Sequence, residues 1–268
     1  MSERTSTVAI ISDLGTRDPA IAQFKAAVLA VNANVRFVDV THEIRPRDLL
    51  EGAFVLERCF REFQRRTVFA VLVDSVLATH RRAVLAVSMD YFYFAPDNGV
   101  LSYAYQNDEL SAVYEVTAEH LVKLPAGPRA THRDVFGPAV GWLTKGVESS
   151  NFGEQLNDFV RTPLPQVTRP SAKELKGMVL HADRHGGLIT NIQEAQVNAL
   201  RAELGPQAPF RAMLGEVPVP VLGGWAEGGP DNIAVYGPSG YLEIIAPKGD
   251  ASKLLNGKRG DTVMIVFE

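Results

Sequence analysis

The sequence predicts two domains: an α/β domain with a largely parallel central sheet, and a smaller β-rich, barrel-like domain after it. Apolar strand-like runs alternate with helical patterns over residues 1–162, an order that builds a parallel sheet covered by helices. Three prolines then fall within residues 163–170, which is typical of a linker. Short apolar runs bounded by Gly, Pro or Asp fill residues 171–268, a spacing that favours a barrel or sandwich.

Continuous apolar runs predict the strands of the first domain, because strands covered on both faces do not alternate with polar residues. Asp18, with Pro19 at the first helical position, and Asp48 are expected to cap two helices, and a third helix is predicted over 138–145. The predicted strands are 8–11, 35–40, 67–73, 83–88 and 91–95.

The second domain shows six short apolar segments and one helical pattern over 193–204. Each segment has the length of a strand and ends at a turn-forming residue. The predicted strands are 177–182, 187–191, 209–214, 232–236, 240–246 and 261–267.

Composition narrows the class of protein. The chain has 268 residues, 46% hydrophobic and 22% charged, with a formal net charge of −4, so a nucleic-acid partner is not expected. No apolar run approaches the ~18 residues needed to span a bilayer, and residues 1–7 lack the apolar core of a signal peptide. A cytoplasmic protein without a membrane partner is expected. Cys59 is the sole cysteine, which excludes an intrachain disulfide and predicts a buried structural thiol.

Four aspartates lie at or just beyond predicted strands: Asp13, Asp39, Asp74 and Asp97. Strand ends of an open α/β sheet converge on a crevice where ligands bind. Carboxylates there can grip ribose hydroxyls, act as bases or hold a metal. Taken singly, each could equally cap a helix or close a turn. Neither a G-x-G-x-x-G string nor a P-loop is present, so phosphate binding lacks support.

Five short strings together carry a family resemblance. They are SDLG at 12–15, DVTHEI at 39–44, APDNG at 95–99, RDVF at 133–136 and TNI at 190–192. Their order and spacing over nearly the whole chain resemble the S-adenosylmethionine hydroxide adenosyltransferases, relatives of the fluorinating and chlorinating enzymes. The resemblance implies hydrolysis of S-adenosylmethionine to adenosine and methionine, with no cofactor and no metal.

The resemblance also implies roles for residues of the first domain. Asp13 matches the aspartate that binds the ribose hydroxyls, and Asp74 and Arg81 match the acid and arginine that activate water. The family's loop reads DPGVGT, whereas residues 74–79 read DSVLAT. The third catalytic residue of the family is the His of an HGRD string. Here the string is THRD, so a strict alignment selects Thr131, and His132 stands one residue later; both positions stay open, and His132 is the provisional choice.

In the second domain, the resemblance assigns Asp183 to the methionine amino group, Trp225 to stacking on adenine, and Ser239 to the substrate-lining segment. Two of the family's polar positions differ. The family's FGN is HGG at 185–187, and its NQG is PKG at 247–249. The first difference removes an asparagine that contacts adenine, and the second removes a further polar contact.

A carboxylate at Asp74 would repel fluoride or chloride on approach, whereas water approaches as a neutral molecule, so hydroxide transfer is expected in preference to halide transfer. The family forms trimers, which implies a homotrimer here. Three alternatives stay open: a non-catalytic protein that binds S-adenosylmethionine or adenosine, an adenosyl transferase that uses another nucleophile such as halide, and a metal-dependent hydrolase. The last would use Asp13, Asp39, His42 and Asp97.

Overall fold

The computed structural model describes residues 5–75, 82–122, 132–224 and 232–268. The chain forms two compact units, Met1–Leu164 and Pro165–Glu268. The first unit contains six strands and four α-helices among its described residues. In chain order they are β1 (Ser6–Ser12), α1 (Ala20–Val31), β2 (Val35–Thr41), α2 (Leu49–Cys59), β3 (Val68–Leu72), β4 (Ala83–Ser88), β5 (Phe92–Pro96), α3 (Ser102–Asn107), β6 (Leu110–Glu115) and α4 (Phe136–Thr144).

The six strands form one sheet in the order β2-β1-β3-β5-β4-β6. β1 pairs in parallel with β2 and β3, and β3 pairs in parallel with β5. β4 runs antiparallel to both β5 and β6. The predicted α/β domain with a largely parallel sheet is therefore confirmed.

The central strands are apolar throughout because each buries side chains on both faces of the sheet. In β1, Val8 and Ile10 join one core with α1 and α4, whereas Ala9 and Ile11 join a second core with α2. β3 divides its residues between the same two cores. Helix α1 packs on α4, and α2 packs on α3. Side chains that alternate across a strand thus give the sheet a helical layer on each face.

Helix caps and short elements account for the local differences from prediction. Asp48 caps α2, since its side chain accepts a hydrogen bond from the Glu51 amide at 3.0 Å, as predicted. The prediction for Asp18 was wrong: Pro19 precedes the first turn of α1 and no side chain caps it. Helix α3 and strand β6 were not predicted, because α3 has only six residues and β6 mixes exposed and buried positions.

The second unit is built on antiparallel strands. It contains β7 (Thr168–Ser171), β8 (Glu174–Ala182), β9 (Leu188–Gln193), α5 (Glu194–Leu204), β10 (Phe210–Leu214), β11 (Val217–Val219), β12 (Ile233–Tyr236), β13 (Tyr241–Ile245), α6 (Ala251–Leu254) and β14 (Thr262–Phe267). The sheet order is β11-β10-β14-β8-β9-β13-β12, and β7 pairs with β8.

The two ends of this sheet meet. The segment after β11 runs beside β12, where Ala234 donates its amide to Pro220 O at 2.8 Å and Leu222 donates to Ala234 O at 2.9 Å. This contact gives the sheet the nearly closed, barrel-like form that the sequence predicts. Strands β7 and β11 and helix α6 were not predicted; β7 includes residues 168–170 of the predicted linker.

Two further features bear on the class of protein. Within the described ranges, no helix is long and apolar enough to cross a membrane. Cys59 is a free thiol, and burial raises its pKa to about 12. The thiol therefore stays protonated at neutral pH and is a poor nucleophile.

The contact between α1 and α4 depends on a residue without a side chain. A Cβ built at Gly141 would lie 2.6 Å from Val31 Cβ and 3.0 Å from Val28 O. We expect Gly141→Val to lower the free energy of unfolding by about 1–3 kcal/mol, the usual cost of overpacking. Urea unfolding measures this change, and Ala26→Val on the exposed side of α1 is the control. Equal stability of the two variants would contradict this packing.

Candidate functional site

Polar residues follow the carboxyl ends of all four parallel strands: Asp13 follows β1, His42 follows β2, Asp74 lies two residues past β3, and Asp97 follows β5. Parallel strands present their carboxyl ends at one edge of the sheet. The chain leaves β1 for β2 on one side and returns to β3 on the other. Such a reversal opens the crevice in which α/β proteins bind ligands, so the edge between β1 and β3 is the candidate site.

Asp13 connects three segments at this edge. Its Oδ2 accepts one hydrogen bond from the Arg47 amide at 2.8 Å and another from the Asp74 amide at 3.1 Å. The first amide belongs to the turn before α2, and the second to the loop after β3. Within the described part of the chain, no hydrogen bond reaches Oδ1, so this oxygen can accept a hydroxyl from a ligand.

Asp74 lies beside Asp13 in an uncommon backbone conformation. Its φ is +49°, the left-handed region that aspartate tolerates better than most residues. Asn98 donates from Nδ2 to Val73 O at 3.1 Å and so fixes the end of β3. The Asp74 side chain is 15% exposed. The backbone therefore holds a partly buried carboxylate on the residue whose amide binds Asp13 Oδ2.

Two residues of this arrangement were missed in the sequence. Nε of Arg47 lies 3.9 Å from Asp74 Oδ1, and its side chain is 83% exposed. Arg47 thus gives Asp13 an amide and brings a cation near Asp74. Asn98 belongs to the APDNG string, which could have identified it as an anchor for β3. Arg81, the cation assigned by resemblance, lies outside the described residues.

His132 occupies the turn before α4. Its Nε2 lies 3.2 Å from Ala20 O at the start of α1. A carbonyl accepts only, so Nε2 carries the proton and Nδ1 carries the lone pair. Burial lowers the pKa of His132 most strongly, although the Ala20 carbonyl and the charges of Asp134 and Asp13 oppose this shift. The imidazole is therefore neutral at physiological pH and within electrostatic range of Asp13. Thr131 lies outside the described residues.

In the second unit, Asp183 closes the turn between β8 and β9. Its Oδ1 accepts hydrogen bonds from the amides of His185 and Gly187, both at 2.8 Å. A Cβ at Gly187 would lie 2.7 Å from Asp183 Oδ2, so a larger residue there requires the carboxylate to move. Gly187 thus permits the conformation in which Asp183 Oδ1 accepts both amides.

Ser239 lies in the turn between β12 and β13, where Gly240 donates its amide to Gly237 O at 2.9 Å. The pairing register of β9 with β13 places Ser239 away from Asp183. Ile244 pairs with Leu188 beside the Asp183 turn, whereas Tyr241 pairs with Gln193 beside the Ser239 turn. These two turns lie at opposite ends of β9 and β13, so the unit does not bring Asp183 and Ser239 together. Trp225 lies outside the described residues.

The alternative of a metal-dependent hydrolase is not supported by the side chains it would need. Asp39 binds Lys25 at 2.6 Å, and Asp97 binds Arg82 at 2.6 Å while accepting the Val160 amide at 2.7 Å. Both carboxylates thus belong to separate ion pairs. Among the residues that the structure describes, no group of three or more His, Cys, Asp or Glu could hold a metal ion.

The environment of His132 leads to a testable titration. We expect its pKa, measured by NMR of the ring protons, to fall below the ordinary value of about 6.5. Because the folded-state pKa is the lower one, the unfolded chain binds more protons as pH falls below about 6.5. Stability contributed by neutral His132 is then lost with acidification, and a His132→Gln variant should lose this part of the pH dependence. A pKa at or above the ordinary value would contradict the burial of the ring.

Comparison with known proteins matches both units to one family. The SAM hydroxide adenosyltransferase N-terminal domain matches residues 8–153, and the C-terminal domain matches residues 177–264. An (R)-S-adenosyl-L-methionine hydrolase of Thermus thermophilus is 30% identical, over 97% of this chain and 99% of that protein. A fluorinase of Actinoplanes sp. strain N902-109 is 27% identical, over 96% of each chain.

Two solved structures resemble the chain over nearly its whole length. A crystal structure of an uncharacterized conserved protein from Thermotoga maritima has a TM-score of 0.89 and 25% identity, covering 97% of this chain and 99% of its own. A conserved hypothetical protein from Thermus thermophilus has a TM-score of 0.74 and 27% identity, covering 97% of this chain and 100% of its own. Matches over both units, together with the 30% identical full-length relative, show that the chain belongs to the S-adenosylmethionine hydroxide adenosyltransferase family.

Proposed function

We propose that this protein hydrolyses S-adenosylmethionine to adenosine and methionine by attack of water or hydroxide on C5′ of the ribose. Family membership over both units supports this activity, as do the full-length relatives named (R)-S-adenosyl-L-methionine hydrolase. The observation that carries the proposal is the hydrogen-bonded pair of Asp13 and Asp74 at the reversal point of the sheet.

Asp13 is proposed to bind the substrate through its ribose. Its Oδ2 is occupied by two backbone amides, so the carboxylate cannot rotate without breaking both bonds. Oδ1 then presents a fixed acceptor to a ribose hydroxyl. Fixed geometry matters because substitution at C5′ requires the nucleophile opposite the departing sulfur.

Asp74 is proposed to accept a proton from the attacking water or to orient it. Water supplies the oxygen that bonds to C5′, the C5′–S bond breaks with its electron pair leaving on sulfur, and the water proton passes to the protein. Methionine leaves as a neutral thioether, so the reaction needs no acid for the leaving group and no cofactor. Neutral His132, with its lone pair on Nδ1, can complete the proton transfer, and Arg81 is the expected partner cation of Asp74.

The negative charge of the Asp74 carboxylate is also proposed to select the nucleophile. An anionic carboxylate in a partly buried site repels fluoride or chloride, whereas it hydrogen-bonds to water. The side chain of Asp74 is mostly buried, so solvent screens this repulsion only in part. Hydroxide transfer is therefore proposed in preference to halide transfer.

Asp74→Asn tests the role of Asp74 because it keeps the shape and removes the charge. We expect adenosine formation to fall at least ~100-fold, the lower range for loss of a general base. Purified protein is incubated with S-adenosylmethionine, with and without halide, and nucleosides are resolved by chromatography. Asp158→Asn, an exposed carboxylate paired with Arg82, is the control and should keep wild-type turnover.

The other outcomes separate the alternatives. Unchanged turnover in Asp74→Asn would remove Asp74 from the mechanism. A 5′-halo nucleoside would identify an adenosyl transferase to halide. No product, with S-adenosylmethionine still raising the melting temperature, would identify a binding protein.

A homotrimer is proposed as the assembly, on the resemblance to the family alone. The chain mass is 29.2 kDa, so light scattering coupled to size exclusion should give three times that mass. The value should persist on tenfold dilution. A mass of one or two chains would contradict the trimer without affecting the proposed chemistry at Asp74.

A further inference from the structure

Behind Asp13 lies a row of polar side chains that the proposed reaction does not use. Ser12 Oγ lies 2.8 Å from His42 Nδ1. His42 Nε2 lies 3.2 Å from Asp39 Oδ1 without the alignment of a hydrogen bond. Asp39 Oδ2 binds Lys25 Nζ at 2.6 Å. Burial raises the pKa of Asp39, but Lys25 and His42 outweigh that effect and lower it overall.

The order serine, histidine, aspartate matches the triad of nucleophilic hydrolases, but the burial excludes that chemistry. Ser12 is fully buried and His42 is 6% exposed. No substrate carbon can reach Ser12 Oγ without unfolding the end of β1. Asp39, 45% exposed, is the member of the row most open to solvent. Any role of the row in the folded chain therefore lies in its contacts with neighbouring residues.

An irregularity in the sheet creates this row. Ile10 pairs with Asp39, but the next residue, Ile11, pairs with Thr41, so β2 holds one extra residue at this point. In a regular strand, residues three apart point to opposite faces. The extra residue breaks the alternation, and Asp39 and His42 come into contact. Bulges of this kind commonly re-aim side chains beside functional sites.

Side-chain and backbone atoms of Ser12 and His42 hold the backbone on both sides of Asp13. On the near side, Ser12 Oγ accepts the Leu14 amide at 3.4 Å while it contacts His42. On the far side, Gly15 donates its amide to His42 O at 2.8 Å. The Ile44 amide reaches Ser12 O at 3.3 Å. Because the His42 side chain contacts Ser12 and its carbonyl accepts the Gly15 amide, His42 constrains the backbone on both sides of Asp13.

We infer that Ser12, His42 and Asp39 form a positioning device that sets the Asp13 carboxylate for ligand binding. This role rests on the proposed function, in which Asp13 holds the ribose. Loss of the contact between Ser12 and His42 loosens the loop of Asp13. Its Oδ2 then holds the Arg47 and Asp74 amides less firmly, and substrate binding weakens before the chemical step does.

Three variants test the device. The substitution His42→Asn places an amide oxygen near the position of the histidine Nδ1, so the contact with Ser12 is kept. In His42→Gln the longer side chain carries the amide past this position, and the contact with Ser12 is lost. Ser12→Ala and His42→Gln should raise the dissociation constant for S-adenosylmethionine at least ~10-fold, and His42→Asn should stay within ~3-fold of wild type. Ser88→Ala is the matched control, because Ser88 is also buried and accepts the Tyr91 amide at 2.8 Å, but it is the last residue of β4 and lies away from Asp13. It should leave the dissociation constant unchanged.

A double-mutant cycle distinguishes positioning from general stability. If Ser12 acts through Asp13, Ser12→Ala should weaken binding less than ~2-fold in an Asp13→Asn background. If Ser12→Ala weakened binding as much in the Asp13→Asn background as in the wild type, the inference would be overturned. Equal dissociation constants for His42→Asn and His42→Gln would overturn it as well.

Amide hydrogen exchange tests the device independently of the substrate. In Ser12→Ala, the Arg47 and Asp74 amides should exchange at least ~10-fold faster than in the wild type, while the amides of β4 stay unchanged. If Ser12→Ala does not fold, His42→Gln is used in its place. Wild-type exchange at Arg47 and Asp74 would overturn the device. If the wild-type protein neither binds nor cleaves S-adenosylmethionine, the proposed function fails, and hydrogen exchange alone decides the positioning role.

Discussion

The two hydrogen bonds accepted by Asp13 Oδ2 are the interaction on which the candidate site depends. They join the ends of β1 and β3 to the turn before α2, three segments that are distant in sequence. Each is a bond from a backbone amide to a carboxylate, a class stronger than bonds between neutral groups. The left-handed conformations of Arg47 and Asp74 cost free energy by themselves. These conformations are tolerated because the Asp13 carboxylate accepts a hydrogen bond from the backbone amide of each of the two residues.

Much of this could be predicted from the sequence because it depends on local patterns. Continuous apolar runs predicted the central strands, and Asp48 was a recognisable cap. The placement of Asp13 and Asp74 at one edge follows from strand direction alone. The contribution of Arg47 could not be predicted, because its amide, rather than its charge, meets Asp13. Asp97 is similar: its position after β5 was predictable, but its ion pair with Arg82 depends on how β4 turns back against β5.

Pairing register was the other information absent from the sequence. The extra residue in β2 leaves no mark in its composition, yet it brings Asp39 against His42. In the second unit, the turns of Asp183 and Ser239 carry similar turn-forming residues, and only the pairing of β9 with β13 shows that they lie at opposite ends. Both facts arise from contacts between strands, which residue types along a single strand do not specify.

The closed form of the second sheet has a consequence for behaviour in solution. An open sheet edge is a template on which a strand from another molecule can add. The segment 220–222 occupies that position beside β12, and in the first unit residues 154–156 cover β6 in the same way, with the Leu156 amide 2.7 Å from Val113 O. At the other end of that sheet, β2 carries exposed charges at Arg36 and Asp39. The fold thus protects its sheets against edge-to-edge aggregation, and Asp39 serves that purpose with the same carboxylate that contacts His42.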